Sequence, residues 1–246
     1  MYPDITITLF DLASKPGVPF SPYAWPVRLL LNYKSLPYRT AFTGFASLQM
    51  RLSAATRTTE PLYTVPAIID PGPSGSTPTK LAESRRIAAY LEERYPDSGR
   101  GRVALSEEDT EMVKIFLPVL GLVILGTAAM LEEADRSYYV DMRRKGFGKE
   151  IEEICPAAGS ACRDAIDAVR TGLTSLARTF HASPWPFGGA TPTFRDFELI
   201  GWLMWLKAGT AAIAEEGVWD GVKDAGEGRN LELLDMAEKE GLMRVV

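Results

Sequence analysis

The chain has 246 residues, 46% of them hydrophobic and 24% charged, enough for one large domain or two smaller ones. These ordinary globular fractions exclude disordered, collagen-like and coiled-coil classes. A net charge of −5, two cysteines (Cys155 and Cys162) and the single histidine His181 argue against nucleic-acid partners, metal sites and disulfide scaffolds.

Ile5-Thr6-Ile7-Thr8-Leu9-Phe10 alternates apolar and polar side chains around β-branched residues and is predicted to be a strand. Met1-Tyr2-Pro3-Asp4 before it has no basic or apolar leader character, so a cytoplasmic location is expected. A turn-rich loop through Pro16, Gly17 and Pro19 leads to Ser21-Pro22, an N-cap followed by proline at N1. The helix that follows carries Val27, Leu30 and Leu31 on one side. Tyr38–Phe42 is a second strand. Val65-Pro66-Ala67-Ile68-Ile69-Asp70 is a buried strand entered through proline, Leu81 closes a last short strand, and Ser84–Arg94 is a helix. The order is β-α-β, a long loop, then β-β-α.

The texture then changes. Tyr95-Pro96-Asp97-Ser98-Gly99-Arg100-Gly101 is a linker, and beyond it the patterns are helical. Residues 1–100 hold 11 basic and 8 acidic side chains, net +3, whereas the remainder holds 16 and 24, net −8. Two domains are expected, 1–97 and 102–246. In the second, Ser106-Glu107-Glu108-Asp109 opens a helix with a capping-box pattern. Ile115–Leu131 is uncharged over 17 residues, at the short limit for a bilayer span. It contains Pro118, Gly121 and Gly126, and acidic residues follow at Glu132, Glu133 and Asp135. A lone span is normally longer, with a basic flank on one side, so a core helix or a dimer interface is expected rather than a membrane span. Ile166, Val169, Leu173, Leu176 and Phe180 share one face of another helix. Thr193-Phe194-Arg195-Asp196 is a second capping box, opening the apolar helix Phe197–Leu206.

There is no G-x-G-x-x-G, P-loop, G-x-S-x-G or C-x-x-C, and His181 lies in a proline-rich loop unsuited to a triad. Three features of the first half remain. Val65-Pro66 is where a cis proline could sit, turning the Val65 backbone N–H and C=O toward an extended peptide ligand, although trans is the commoner state. Glu83-Ser84 at a helix start offers a hydroxyl, free N–H groups and the positive dipole end to a carboxylate, with Glu83 available for an ammonium; simple capping is the alternative. Ser21 at another helix start could stabilise a thiolate through its hydroxyl, or serve only as an N-cap.

In this order and spacing, the strand-loop-Ser21, the Val65-Pro66 entry, Glu83-Ser84 with Ile87-Ala88-Ala89-Tyr90-Leu91, and the Thr193–Asp196 box resemble a glutathione transferase over nearly the whole chain. The resemblance implies an α/β thioredoxin-like N-terminal domain followed by an all-α helical-bundle domain. Ile7-Thr8-Leu9-Phe10-Asp11-Leu12, Ser21-Pro22-Tyr23-Ala24-Trp25 and Phe42-Thr43-Gly44-Phe45 resemble the β-etherase-type enzymes of lignin-degrading bacteria and the fungal A-type branch.

That resemblance implies Ser21 as the thiol-activating residue, with glutathione as co-substrate. Val65, beside Pro66, would pair with the cysteinyl backbone of glutathione, and Glu83 and Ser84 would hold its γ-glutamyl end. Arg51 and Arg57 are candidates for the glycine carboxylate, with solvated loop arginines as the alternative. Phe20, Tyr23, Trp25, Leu120 and Ile124 would line a pocket for hydrophobic aromatic molecules. Pro26 stands where the family usually has a basic residue, and it is expected to move the helix start to Pro26 itself and alter the donors around Ser21. The implied activity is attack on electrophilic aromatic or aryl-ether substrates, in detoxification of wood- or lignin-derived compounds, with peroxidase side activity and a homodimer. A ligandin-type binder of polyphenols is the alternative. A thiol-disulfide oxidoreductase would need cysteine at position 21.

Overall fold

The computed structural model describes residues 6–15, 17–48, 50–52, 64–73, 76–105, 110–154, 159–211 and 217–246. Four strands, β1 (Ile7–Leu12), β2 (Tyr38–Thr43), β3 (Ala67–Asp70) and β4 (Thr79–Ala82), form one sheet in the order β2-β1-β3-β4. β1 runs parallel to β2 and antiparallel to β3, and β3 and β4 are antiparallel. Helices α1 (Ala24–Tyr33) and α2 (Ser84–Arg94) complete this thioredoxin-like unit. The helical unit holds α3 (Thr110–Phe116), α4 (Leu120–Met130), α5 (Glu133–Phe147), α6 (Ile151–Ile154), α7 (Ser160–Ala177), α8 (Phe194–Ala211), α9 (Val218–Val222) and α10 (Arg229–Lys239).

β1 alternates in sequence, but all six of its residues are buried because it is an interior strand of the sheet. The polar members therefore need partners. The Asp11 carboxylate accepts from Arg28 of α1 at 2.8 Å, and both side chains are 0% exposed. Arg28 also donates to Thr40 of β2 at 2.8 Å. Burial pushes the Asp11 carboxyl upward, and the Arg28 guanidinium pulls it back down. Deleting one partner of such a pair strands the other charge, at a cost of about 3–5 kcal/mol.

The linker is tied to α1 by a second buried cation. Lys34 Nζ lies 2.9 Å from Glu92 Oε1 and donates to the carbonyls of Tyr95 at 2.9 Å and Gly101 at 3.2 Å. All three ammonium protons thus have acceptors. Gly99, with φ +58°, comes so close to the Lys34 backbone that a Cβ there would overlap it.

Pro26 does not move the helix start. Trp25 N–H donates to the Ser21 carbonyl at 3.2 Å, and α1 begins at Ala24. The N–H that Pro26 lacks falls in the first turn of α1, where proline is tolerated.

The segment Met112–Met130 is long and apolar enough to cross a membrane by length and composition, with mean hydropathy 2.1. It is broken by a 3-10 turn at Leu117–Val119, where Pro118 lies, and Val119, Leu122, Val123 and Ile124 are buried in the core. Gly209 of α8 lets that helix approach Val123 of α4 without a Cβ between them. The capping box at Ser106–Asp109 and Cys155 lie outside the described residues.

Candidate active site

The end of β1, the loop into α1 and the approach to β3 meet at one end of the sheet, where they face α4, α5 and α8 across a cavity of about 440 Å³. Leu12, Phe20, Ser21, Pro22, Tyr23, Thr64 and Val65 line it from the sheet side; Leu120, Thr127, Tyr138, Tyr139, Met142, Arg143, Trp202 and Trp205 line it from the helices. Phe45 and Leu48, following β2, close the wall.

Ser21 is 3% exposed. Its carbonyl accepts the first helical bond, from Trp25, and its Oγ accepts from Ala24 N–H at 3.2 Å. The side-chain bond is of the kind an N-cap serine makes, here two residues ahead of Tyr23, the N-cap position of α1. A hydroxyl whose lone pair is engaged by an N–H still has its own proton to donate. The side chain therefore presents a donor beside the positive end of α1, a setting that favours a sulfur anion.

Tyr23, half exposed at the cavity mouth, stands edge-on to Trp202 with ring centroids 5.6 Å apart. Trp202 stacks on Phe116 at 5.4 Å and meets Trp205 edge-on at 5.2 Å. The loop that carries Ser21 thus rests on a ladder of rings from the helical unit.

Val65-Pro66 is cis, and Val65 lines the cavity. Thr64, its neighbour on the wall, donates to Glu83 Oε1 at 3.1 Å. Glu83 has φ +71° immediately before α2, which starts at Ser84. A non-glycine residue held there costs of order 1–3 kcal/mol, the kind of strain that clusters at ligand clamps. Glu83 and Ser84 therefore lie next to the wall rather than on it.

Three expected positions are placed elsewhere. Trp25 packs into the core with its indole N–H on the Pro19 carbonyl at 3.1 Å. Ile124, 1% exposed, is buried in a cluster with Leu12, Phe20 and Tyr139 and is not on the cavity wall. Arg51 is exposed, donates to the Phe42 carbonyl at 3.5 Å and is not on the cavity wall. Arg57 lies outside the described residues. Phe20, Tyr23 and Leu120 are on the wall with Ser21 and Val65.

Among the wall residues that sequence reasoning missed, four come from α5: Tyr138, Tyr139, Met142 and Arg143. Tyr139, 2% exposed, packs against Phe45 with centroids 5.0 Å apart, and the Arg143 guanidinium carbon lies 4.9 Å from the centre of its ring. Burial pushes the Tyr139 hydroxyl pKa up, with Arg143 and Thr127 drawing it back. The available signal was the pair Tyr138-Tyr139 followed one turn later by Met142-Arg143.

A thioredoxin-like unit with a cis proline beside a cavity, roofed by an all-helical unit, is the architecture of a glutathione transferase. The chain belongs to that family: the model of the glutathione S-transferase N-terminal domain matches residues 16–99, and that of the C-terminal domain matches residues 108–239. It is similar to the glutathione S-transferase-like protein ustS of Aspergillus flavus, with 26% identity over 239 residues, covering 89% of this chain and 85% of the relative. Among solved structures it resembles the glutathione S-transferase CsGST83044 of Ceriporiopsis subvermispora in complex with glutathione. That match has TM-score 0.79 and 22% identity, and covers 95% of this chain and 98% of the other. It also resembles the glutathione transferase GSTFuA3 of Phanerochaete chrysosporium, with TM-score 0.76, 24% identity and 98% of each chain covered.

Proposed function

We propose that the protein binds glutathione and that Ser21 holds its sulfur as the thiolate, which attacks an electrophilic aromatic or aryl-ether-type substrate in the cavity. The observation that carries this reading is the Ser21 hydroxyl, buried on the cavity wall with Oγ accepting from Ala24 N–H and its proton available. Donation to sulfur favours the anion, so a thiol that ordinarily titrates at about 8.5 loses its proton at lower pH. The thiol proton passes to solvent. A C–S bond then forms as the carbon–halogen or carbon–oxygen bond breaks, and the leaving group takes the bonding pair. Rate comes from a ready nucleophile and from proximity.

In this reading the Val65 backbone pairs with the cysteinyl unit, and Glu83 takes the γ-glutamyl ammonium. The Ser84 hydroxyl and the first N–H groups of α2 take the adjacent carboxylate. The loop arginines Arg51 and Arg57 are assigned to the glycine carboxylate. The glutathione complex of the Ceriporiopsis protein supports the co-substrate. The family's usual homodimer, and a role in clearing wood-derived aromatics, belong to the same proposal.

The test mixes purified protein with glutathione and chlorodinitrobenzene or a β-aryl ether and detects the thioether by mass. Ser21→Ala is expected to lose about 10²-fold in kcat/KM, the scale for removing one donor from a developing anion. Equal turnover by Ser21→Ala would overturn the mechanism. Tight displacement of a dye with no conjugation would favour a ligandin-type binder, a reading that the aromatic wall alone supports.

A further inference from the structure

The helical side of the cavity is aromatic and carries one charge: among the described lining residues, Arg143 is the sole ionised side chain, and no carboxylate shares the wall. Its neighbours on α5 do not neutralise it. Asp141 pairs with Arg144 and, at 3.3 Å, with Lys145, while Glu150, just beyond the end of α5, lies 3.8 Å from Arg144. Arg143 Nε is buried with no hydrogen-bond partner among the described residues. The Tyr139 ring face holds the guanidinium in place, and Phe45 pins that ring in turn.

A cation kept half-buried on an apolar wall, with no counter-charge among the described residues, is costly until an anion arrives. A guanidinium presents a planar fork of donors that suits a carboxylate. Ser21 and Arg143 line one cavity from its two sides, so a single molecule can place an electrophilic carbon near the first and an anion on the second. That arrangement also keeps the anion away from the sulfur.

We propose that the second substrate is an aromatic electrophile bearing a carboxylate and that Arg143 binds this carboxylate. The electrophile in this statement rests on the transferase reading; the anion site does not. The experiment compares chloronitrobenzoate with its methyl ester, which differ by the charge. Binding is read from quenching of Trp202 and Trp205 on the wall, and turnover with glutathione from thioether and chloride. In turnover the C–S bond forms, the C–Cl bond breaks with its pair on chloride, and the thiol proton goes to solvent.

The wild-type protein is expected to bind the acid about tenfold or more tightly than the ester, the scale of one charge-assisted pair. Arg143→Gln should remove most of that ratio, and Arg143→Lys should restore part of it. The inference is overturned if wild type binds both ligands equally. It is also overturned if Arg143→Gln leaves the ratio intact, or if it weakens glutathione binding while the acid preference persists. Acid preference without any thioether would support the anion site and count against the transferase reading, so the two fail separately.

Discussion

Gly201 of α8 lies against the carbonyl of Pro22: a Cβ at position 201 would overlap that oxygen and stand 3.0 Å from Pro26 Cδ. The same carbonyl is the acceptor that Pro26, lacking an N–H, leaves without an intrahelical donor. One missing side chain and one missing donor therefore let the loop bearing Ser21 sit directly on the helical unit.

Gly201→Ala tests this closeness. Helix propensity alone favours alanine by about 1 kcal/mol, but overpacking against backbone costs about 1–3 kcal/mol. A lower urea midpoint is expected. The bound glutathione thiol should also titrate at higher pH, because Ser21 is carried by the displaced loop. Unchanged stability and thiol titration would mean that the Pro22 carbonyl yields freely.

Asp135 links the two units on the other side of the cavity. Its Oδ1 accepts from Ala46 N–H at 2.9 Å, and Gly44 leaves room for the carboxylate, which a Cβ would overlap. Asp135 also sits in the first turn of α5, where negative charge is favourable. Asp135→Ala is expected to cost only about 1 kcal/mol, because the bond is solvent-screened. The larger effect should be a several-fold rise in KM for the aromatic substrate with kcat less affected, since Phe45 and Tyr139 meet beside this contact. Steady-state kinetics separate the two, and an effect confined to kcat would sink the argument.

Local patterns were legible where the chain obeys them. Ser84–Arg94 is both the predicted and the observed extent of α2. The Thr193 box appears as Thr193 N–H and Oγ on Asp196 Oδ2, at 2.7 and 2.8 Å. The wall of the cavity was harder to read because docking decides it. Trp202 and Trp205, three residues apart in an apolar helix, look like core from spacing alone. Which side of polar α5 faces the sheet unit follows from contacts such as Asp135–Ala46, which no local period encodes. Ile124 and Trp25 are off the wall for the converse reason: apolar residues near a site still have a core to fill.

Asp196 predicts a pH dependence. It is 0% exposed, and Oδ1 accepts from Phe187 N–H at 2.8 Å while Oδ2 serves Thr193. Burial raises its pKa, and the donors recover part of that rise. The folded protein therefore keeps this proton at a pH where the unfolded chain has lost it. Stability from this group is present in acid and falls as pH rises from about 4 through the folded value. Asp196→Asn cannot titrate, so the wild-type advantage over it in urea unfolding should shrink between about pH 4.5 and pH 7. An advantage that grows over that interval would show the carboxylate ionised by its donors instead.

Ser21→Cys tests whether the helix start, rather than the hydroxyl as such, creates the anion site. The substituted thiol would occupy a place where the native Oγ accepts from Ala24 N–H, and it should titrate below the ordinary value of about 8.5. Its thiolate would attack glutathione disulfide: the S–S bond breaks, a mixed disulfide forms with the protein, and one glutathione leaves as thiolate. Conjugation should fall, because the sulfur of glutathione is consumed in a covalent bond instead of being held by a donor. Mass spectrometry after mixing with glutathione disulfide should find one adduct at position 21, removable by reductant. Buried Cys162 is the internal control, since an inert thiol in the core should stay unmodified. If position 21 reacts no faster than an exposed model thiol at neutral pH, the helix start lends no stabilisation to sulfur, and the role assigned to Ser21 fails with it.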